Sequence, residues 1–221
     1  MPKAITDTEL SEILRKGSLE LGLSLDHAQL GAFLKYLHEL QAWNKKINLT
    51  SIIDGKDIII KHFLDSLTPA GLLTGVETLL DIGSGGGFPG LPLKIALPSL
   101  KVTMLDTVEK KVHFIRHMIR TLDLQDAKAI SGRVEAPELI ESHACAFDCV
   151  TSRAFTELGA FVALGKPYVR QGGMLLAMKG PAVEEELREM GPVEGFSAPA
   201  VHRIEVPFSG RTTSLIIMKK L

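Results

Sequence analysis

Short apolar runs alternate with helical patterns from residue 76 to residue 179. An apolar run of a few residues predicts a buried strand, and apolar residues recurring every three or four positions predict a helix. The predicted strands are residues 78–82, 101–106, 127–131, 148–153 and 173–178. The predicted helices are residues 90–97, 109–122, 137–142 and 157–169. This alternation predicts an α/β fold, in which helices cover both faces of a parallel sheet.

The ends of the chain have different patterns. Residues 1–75 are predicted to be helical: Thr6 to Glu9 matches a capping box, and Ser24 is expected to cap a second helix. Near the other end, strand patterns at 200–206 and 212–219 are separated by a glycine-containing turn, which predicts a hairpin. We therefore expect a helical extension, residues 1–75, and a Rossmann-like domain, residues 76–221, whose seven-stranded sheet ends in the hairpin.

Composition and charge limit the possible functions. The chain has 221 residues, 45% of them hydrophobic, and a formal net charge of −1 from 25 basic and 26 acidic residues. With this balance, contact with nucleic acid requires a local basic surface. The start of the chain has no apolar signal core, and no window approaches the length of a membrane span. Two cysteines suggest no disulfide framework, so a cytoplasmic enzyme is expected.

A glycine-rich segment follows the first predicted strand and is the strongest functional signal. Glycine lets backbone approach a ligand closely, and a strand, tight loop and helix in this order are typical of nucleotide-like ligands. Residues 85–90 match G-x-G-x-x-G, the dinucleotide fingerprint. Residues 81–85 match D-x-G-x-G, the pattern of S-adenosylmethionine-dependent methyltransferases, and predict donor contacts at Asp81, Gly83 and Gly85.

Three features favour the methyl donor over a dinucleotide. Asp81 can attract the cationic methionine end of the donor but would repel a pyrophosphate; the other two are the hairpin and the helical extension. Asp106 does not discriminate, because an acid at the end of the second strand can accept hydrogen bonds from the ribose hydroxyls of either ligand. At the end of the third strand, Glu135 or its backbone could read the adenine amino edge, or Glu135 could be a solvated loop residue.

The end of the fourth strand is expected to face the methyl acceptor. Residues 151–155 lack the Asn or Asp-Pro-Pro-aromatic motif of exocyclic amino methyltransferases and the acid of a ribose 2′-O enzyme, and Cys149 lies within the strand. An acceptor that needs no base remains, and guanine N7 carries such a free lone pair. Arg153 is the predicted catalytic residue: it could position the guanine or a phosphate, hold the donor's carboxylate, or form a structural ion pair.

Several basic and polar residues are candidates for contact with RNA. They are Lys46, Asn48, His62, Lys110, Arg116 and Lys179. Such residues are also found on ordinary solvated surfaces, and isolated histidines are more often structural. His143, Cys145 and Cys149 lack a fourth ligand and a suitable spacing, so no metal site is predicted.

The motifs above occur together in one known arrangement. The matching segments are residues 48–52, 62–67, 81–90, 110–111, 132–135, 152–154 and 179–180. Together they resemble the RsmG family, also called GidB. Its members are bacterial enzymes that transfer a methyl group from S-adenosylmethionine to N7 of guanine 527, in the decoding-region loop of 16S ribosomal RNA. The resemblance implies a class I methyltransferase fold with a C-terminal β-hairpin.

The resemblance also implies site residues and partners. Donor contacts are expected at Gly83, Phe88, Asp106, Thr107, Val108, Val134, Glu135 and Arg153. The expected partner is 16S rRNA, in the 30S subunit or its precursor, with no membrane, no metal and a monomeric enzyme. A nicotinamide-dependent oxidoreductase and a non-catalytic RNA-binding module are the alternatives.

Overall fold

In the computed structural model, which describes residues 5–221, seven strands form one sheet in the order β3-β2-β1-β4-β5-β7-β6. The strands are β1 (Thr78–Ile82), β2 (Lys101–Asp106), β3 (Ala127–Ser131), β4 (Phe147–Arg153), β5 (Val169–Lys179), β6 (Ala200–Val206) and β7 (Arg211–Lys219). Strands β1 to β5 are parallel, and β7 and β6 continue the sheet as an antiparallel hairpin. The predicted α/β fold and C-terminal hairpin are confirmed.

The strand order places a ligand-binding crevice at the middle of the sheet. The chain proceeds outward from β1 through β2 to β3 and then returns to β4 on the other side of β1, where Leu80 pairs with Val150. In open α/β sheets, ligands bind outside the carboxyl ends of the strands at such a reversal. A ligand-binding site is therefore expected at the ends of β1 and β4, next to Ile82 and Arg153.

Helices cover both faces of the sheet and form the extension. In the extension they are α1 (Asp7–Glu20), α2 (His27–Asn44) and a continuous helix made of α3 (Gly55–Ile58), a π-helical segment (Ile59–Leu64) and α4 (Asp65–Leu67), followed by a 3₁₀ turn (Ala70–Leu72). The later helices are α5 (Gly90–Ala96), α6 (Glu109–Thr121), α7 (Pro137–His143), α8 (Leu158–Gly165) and α9 (Glu184–Met190). No helix in residues 5–221 is both long and apolar enough to cross a membrane.

Some predicted boundaries were wrong. Asp26, not Ser24, caps α2, because its carboxylate accepts the Gln29 amide proton while the Gln29 side chain accepts from the Asp26 amide. Strand β5 begins at Val169 rather than 173, with an irregular register against β4 where Gly172 adopts a φ of 74°. Helix α9 was not predicted; Glu186 ties it to Lys179 at the end of β5.

The helical extension and one face of the sheet share a hydrophobic core. Leu14, Phe33 and Leu64 from the extension are fully buried in the same cluster as Met104 of β2. The predicted division between residues 75 and 76 falls just before β1, and residues 1–4 lie outside the described part of the chain. The extension is thus packed directly against the sheet, which allows its side chains to reach the sheet's carboxyl edge.

Two helical glycines offer a matched test of this packing. A Cβ on Gly17 of α1 would lie 2.4 Å from Cδ1 of Leu64, whereas nothing lies within 4 Å of a Cβ on the exposed Gly31 of α2. Gly31→Ala should raise the free energy of unfolding by about 0.5–1 kcal/mol, because alanine favours the helix. Gly17→Ala should lower it by roughly 1–3 kcal/mol through overpacking. Urea unfolding measures both, and stabilisation by Gly17→Ala would contradict the close contact.

Candidate functional site

Two clefts open at the carboxyl edge of the sheet, and Ala154, directly after β4, lines both. The first, which we call the sheet cleft, has a volume of about 520 Å³ and lies over the ends of β1, β2 and β3. The second, the hairpin cleft, has a volume of about 690 Å³ and lies between the extension, the ends of β4 and β5, and the β6–β7 turn. Volumes of this size are typical of sites for small ligands.

Most of the predicted donor-binding residues line the sheet cleft. These are Gly83, Asp106, Thr107, Val108, Val134 and Glu135. Arg133, whose guanidinium pairs with the Glu135 carboxylate, also lines it. Lys111, Phe155 and Leu164 also form part of the wall and were not predicted from the sequence. Phe155 could have been predicted from the sequence, because an aromatic residue two positions after the end of the fourth strand lies at this edge of the sheet.

Gly83 forms the floor of the sheet cleft and could not carry a side chain without strain. Its φ is +72°, in the left-handed region that favours glycine, and an ideal Cβ would lie 2.3 Å from Cδ2 of Phe155. The Phe155 ring therefore rests on the bare backbone of the loop. Because Gly83 also lines the cleft, a ligand there can approach its backbone without meeting a side chain of this residue.

Asp106 joins the glycine loop to the start of α6. Its Oδ2 accepts a hydrogen bond from the Gly85 amide, and its Oδ1 accepts one from the Val108 amide, each at 2.8 Å. Each carboxylate oxygen can accept more than one hydrogen bond. Because Asp106 lines the sheet cleft, its remaining capacity suits a ligand with two neighbouring hydroxyl groups, such as a ribose.

Asp81 lies under the glycine loop rather than in the cleft wall. It is fully buried; its Oδ2 accepts from the Gly90 amide at 3.0 Å, and its Oδ1 has no partner. Burial raises the pKa of Asp81 to about 7. Asp81, Gly85, Phe88 and Arg153 are absent from the lining of the sheet cleft, so their predicted donor contacts stay predictions.

The second half of the loop faces the protein interior, which removes support for the dinucleotide interpretation. A Cβ on Gly87 would meet Leu91 at 2.4 Å, and a Cβ on Gly90 would meet Met104 at 2.6 Å. These glycines permit close packing of α5 and leave no space beside them for a pyrophosphate. The G-x-G-x-x-G match therefore arises from packing.

Arg153 lines the hairpin cleft, where residues of the extension hold its guanidinium. Nη1 donates to Oδ2 of Asp65 at 2.9 Å and to the Lys61 carbonyl at 3.3 Å, and Nη2 donates to Nδ1 of His62 at 2.9 Å. The guanidinium carbon lies 4.9 Å from the centre of the Phe88 ring. Arg153 thus forms the ion pair considered from the sequence while also lining a cleft.

His62 is neutral and has a single tautomer. Because arginine can only donate, Nδ1 of His62 accepts, and the ring proton is on Nε2, which donates to Oγ1 of Thr50 at 2.6 Å. Burial, together with the nearby Arg153 charge, lowers the pKa of His62 to about 3. Its ring stacks on Phe88, with centres 4.6 Å apart.

The predicted RNA-binding residues do not form one group. His62 and Lys179 line the hairpin cleft, where Lys179 pairs with Glu186 at 2.6 Å. Lys46 and Asn48 are exposed after α2, and Lys110 is exposed on α6. Arg116 donates instead to the Ala129 carbonyl of β3 at 3.1 Å.

Arg211 is a cleft residue that the sequence analysis missed. It is exposed at the start of β7 and lines the hairpin cleft. The other cations of that cleft, Lys61, Arg153 and Lys179, each pair with a carboxylate, whereas no salt bridge within residues 5–221 includes Arg211. Its place in the turn of a predicted hairpin was the available signal.

Comparison with known sequences gives consistent matches. A family model described as GidB, rRNA small subunit methyltransferase G, matches residues 29–210. The ribosomal RNA small subunit methyltransferase G of Geotalea uraniireducens is 45% identical over 213 residues, which cover 95% of this chain and 96% of that protein. The protein of the same name from Geobacter metallireducens is 41% identical over 215 residues, which cover 96% and 97%.

Solved structures are similar in fold. Cofactor-bound Rv0187 from MTB has a TM-score of 0.62 and 16% identity, with 99% of both chains covered. The O-methyltransferase from Bacillus cereus in complex with SAH has a TM-score of 0.60 and 17% identity, with 85% of this chain and 91% of that chain covered. At these identities the likeness concerns the fold alone, which is that of class I S-adenosylmethionine-dependent methyltransferases.

The low pKa of His62 predicts a loss of stability in acid. The unfolded chain binds a proton at this residue below about pH 6.5, while the folded protein does not until about pH 3. Between these values the contribution of His62 to the free energy of unfolding should fall by up to about 1.4 kcal/mol per pH unit as the pH drops, while Asp81, whose pKa is raised, contributes in the opposite direction.

Denaturant unfolding between pH 6.5 and 4.5 tests this assignment. His62→Asn keeps an acceptor for Arg153 but cannot titrate, so its stability should fall less steeply than that of the wild type. His202→Asn, at an exposed position on β6, is the matched control and should keep the wild-type slope. Equal slopes in His62→Asn and the wild type would contradict a buried, neutral His62.

Proposed function

The chain belongs to the rRNA small subunit methyltransferase G family, and we propose that it methylates N7 of guanine 527 in 16S rRNA. Methylation of small-subunit ribosomal RNA with S-adenosylmethionine as donor is the activity of the family. The N7 position and the nucleotide are the proposed part. One observation carries the N7 position: the candidate bases around Ala154 are already engaged.

Four side chains of the hairpin cleft could act as a base: His62, Asp65, Lys61 and Lys179. The ammonium groups of Lys61 and Lys179 pair with the carboxylates of Asp57 and Glu186. Both nitrogens of His62 are in hydrogen bonds, and its lowered pKa makes it a poor proton acceptor. Both oxygens of Asp65 are also used, Oδ2 by Arg153 and Oδ1 by the Thr213 hydroxyl. Methylation of an amine or a hydroxyl requires removal of a proton, whereas guanine N7 has none to lose. The arrangement therefore supports an acceptor that needs only alignment.

Cysteine-dependent chemistry is also disfavoured. Carbon-5 methylation of pyrimidines requires a nucleophilic thiolate. Cys149 is fully buried within β4, and burial raises the pKa of its thiol. Cys145 is exposed but does not line either cleft.

The residues of the sheet cleft suit the methyl donor. Asp106 would accept from the ribose hydroxyls, Val134 and Glu135 would lie beside the adenine, and Gly83 would allow close approach of the methionine part. In its ionised form the buried Asp81, whose Oδ1 has no partner, adds a negative potential beneath the loop. A cationic ligand would favour that ionised form, against the burial that raises the pKa of Asp81 to about 7. When bound, S-adenosylmethionine supplies an electrophilic methyl group on its sulfonium.

Arg153 is the proposed acceptor-positioning group. Three of its N–H groups donate to Lys61, Asp65 and His62, so further N–H groups remain for a ligand in the hairpin cleft. They suit guanine O6 or a phosphate, since N7 has to stay free for the methyl group. In the transfer, N7 donates its lone pair to the methyl carbon, the carbon–sulfur bond breaks, and its electron pair stays on sulfur. The protein contributes orientation and exclusion of water.

The proposal includes a cytoplasmic monomer that acts on 16S rRNA, within the 30S subunit or its precursor. Arg211, at the rim of the hairpin cleft, is the proposed first contact for the RNA backbone. Lys46, Asn48 and Lys110 are exposed and are proposed to contact RNA farther from the cleft.

Mapping of the transferred methyl group tests the proposed function. Radiolabelled S-adenosylmethionine would be supplied with free 16S rRNA, with 30S subunits and with assembly intermediates from a deletion strain. We expect one N7-methylguanosine, detected by base-specific cleavage at guanine 527. Label on another nucleotide would contradict the site, and label on an exocyclic amine or a ribose would contradict the N7 chemistry.

A substitution at Gly83 tests the assignment of the sheet cleft to the donor. Gly83→Ala places a Cβ on the cleft floor against Phe155 and should weaken binding of S-adenosylhomocysteine at least about tenfold, measured by calorimetry. Gly195→Ala is the control: its φ of +78° imposes similar backbone strain of about 1–2 kcal/mol, but nothing lies near its Cβ and it lines neither cleft. Equal affinity in the two variants would contradict the assignment.

A further inference from the structure

The π-helical segment presents two side chains to the same guanidinium. His62 lies within the segment and Asp65 directly follows it, and both contact Arg153 at 2.9 Å. Nδ1 of His62 accepts a hydrogen bond from Nη2 of Arg153, and Oδ2 of Asp65 accepts one from Nη1. π-Helical turns inside α-helices are frequently found at functional sites. Here the turn brings a neutral acceptor and an anion to one side of the arginine.

Each of these partners is itself held by a threonine from another part of the chain. Oγ1 of Thr50, in the loop after α2, accepts from Nε2 of His62 at 2.6 Å and from the Ile52 amide at 3.0 Å. The hydroxyl of Thr213, on β7, donates to Oδ1 of Asp65. The His62 ring and the Arg153 guanidinium both lie over Phe88. The centre of the His62 ring is 4.6 Å from the centre of the Phe88 ring, and Cζ of Arg153 is 4.9 Å from it. Hydrogen bonds therefore hold the guanidinium of Arg153 within its own plane, and the Phe88 ring restrains it out of that plane.

We propose that His62 and Asp65 are positioning residues, which orient Arg153 toward the RNA and do not contact the RNA themselves. This inference rests on the proposed role of Arg153 as the acceptor-positioning group. His62 has no free nitrogen for RNA, and one face of its ring is covered by Phe88. A guanidinium held in one orientation loses little further entropy when it binds a guanine or phosphate, and misplacement of about 1 Å can cost roughly 100-fold in rate.

A double-mutant cycle tests this coupling. His62→Phe keeps an aromatic ring on Phe88 but removes the acceptor, and should lower the single-turnover methyl-transfer rate by about 10- to 100-fold. The dissociation constant for S-adenosylhomocysteine should stay within about twofold. In an Arg153→Ala background, His62→Phe should have less than about a twofold further effect, because the group that it orients is gone.

Three variants make the cycle specific. His62→Asn retains an acceptor near the Nδ1 position and should recover part of the lost rate. Asp65→Asn should resemble His62→Phe, because it removes the charge that holds Nη1. His202→Phe, at the exposed position on β6, should leave the rate unchanged. Independent, additive effects of His62→Phe and Arg153→Ala would overturn the proposal, as would a rate loss matched by the loss of folded protein in circular dichroism.

Nuclear magnetic resonance provides a readout that does not need methyl transfer. Nitrogen-15 shifts of His62 should show a protonated Nε2 and an unprotonated Nδ1 at neutral pH. Rotation about the Cζ–Nη bonds of Arg153, which interchanges the two protons on each Nη, should be slow in the wild type and faster in His62→Phe. An Nδ1-protonated ring, or unchanged Arg153 rotation, would overturn the positioning role. Methyl transfer to a different RNA atom with these spectra intact would contradict the proposed function alone.

Discussion

The ion pair between Arg153 and Asp65 connects the separate parts of this structure. Their side chains are only 15% and 18% exposed, so neither charge is well solvated and each depends on the other. Arg153 ends a central strand, whereas Asp65 belongs to the helical extension. Thr213 joins the hairpin to the same carboxylate. The extension, the centre of the sheet and its antiparallel edge therefore meet at one partly buried charge pair.

A second set of contacts holds the opposite side of the sheet's carboxyl edge. Asp106 fixes the glycine loop to the start of α6, and Asp81 fixes the start of α5 from below. Both carboxylates accept backbone amides, so they hold the shape of the loop in the absence of ligand. Each also retains capacity for further hydrogen bonds. A site prepared in this way loses little freedom when its ligand arrives.

Local patterns predicted the architecture but not these contacts. Strands β1 and β2 were predictable because buried parallel strands are largely apolar runs bounded by turns. The glycine-rich loop could be assigned because its backbone needs glycine at Gly83. The arrangement around Arg153 could not, because Thr50, His62, Asp65 and Thr213 come from segments far apart in sequence. Helix α9 was missed because it is short and is held by a tertiary contact through Glu186.

Individual assignments changed for the same reason. His62 and Lys179 were grouped as RNA contacts from residue type, yet tertiary partners occupy His62 on both nitrogens and Lys179 on its ammonium group. The place of Arg211 in a predicted hairpin turn was a weak signal, because such turns often carry exposed basic residues with no function. The significance of Arg211 comes from the absence of a salt-bridge partner within residues 5–221, which only the folded arrangement reveals.

Ala154 lines both clefts, with its backbone in the left-handed region at a φ of 49°. The residue that the two clefts share therefore carries only a methyl side chain. If the donor binds in the sheet cleft and the acceptor in the hairpin cleft, as proposed, the methyl group passes directly between them, and a single displacement inverts the configuration of the methyl carbon. A donor carrying a chiral methyl group of three hydrogen isotopes would record that inversion in the product.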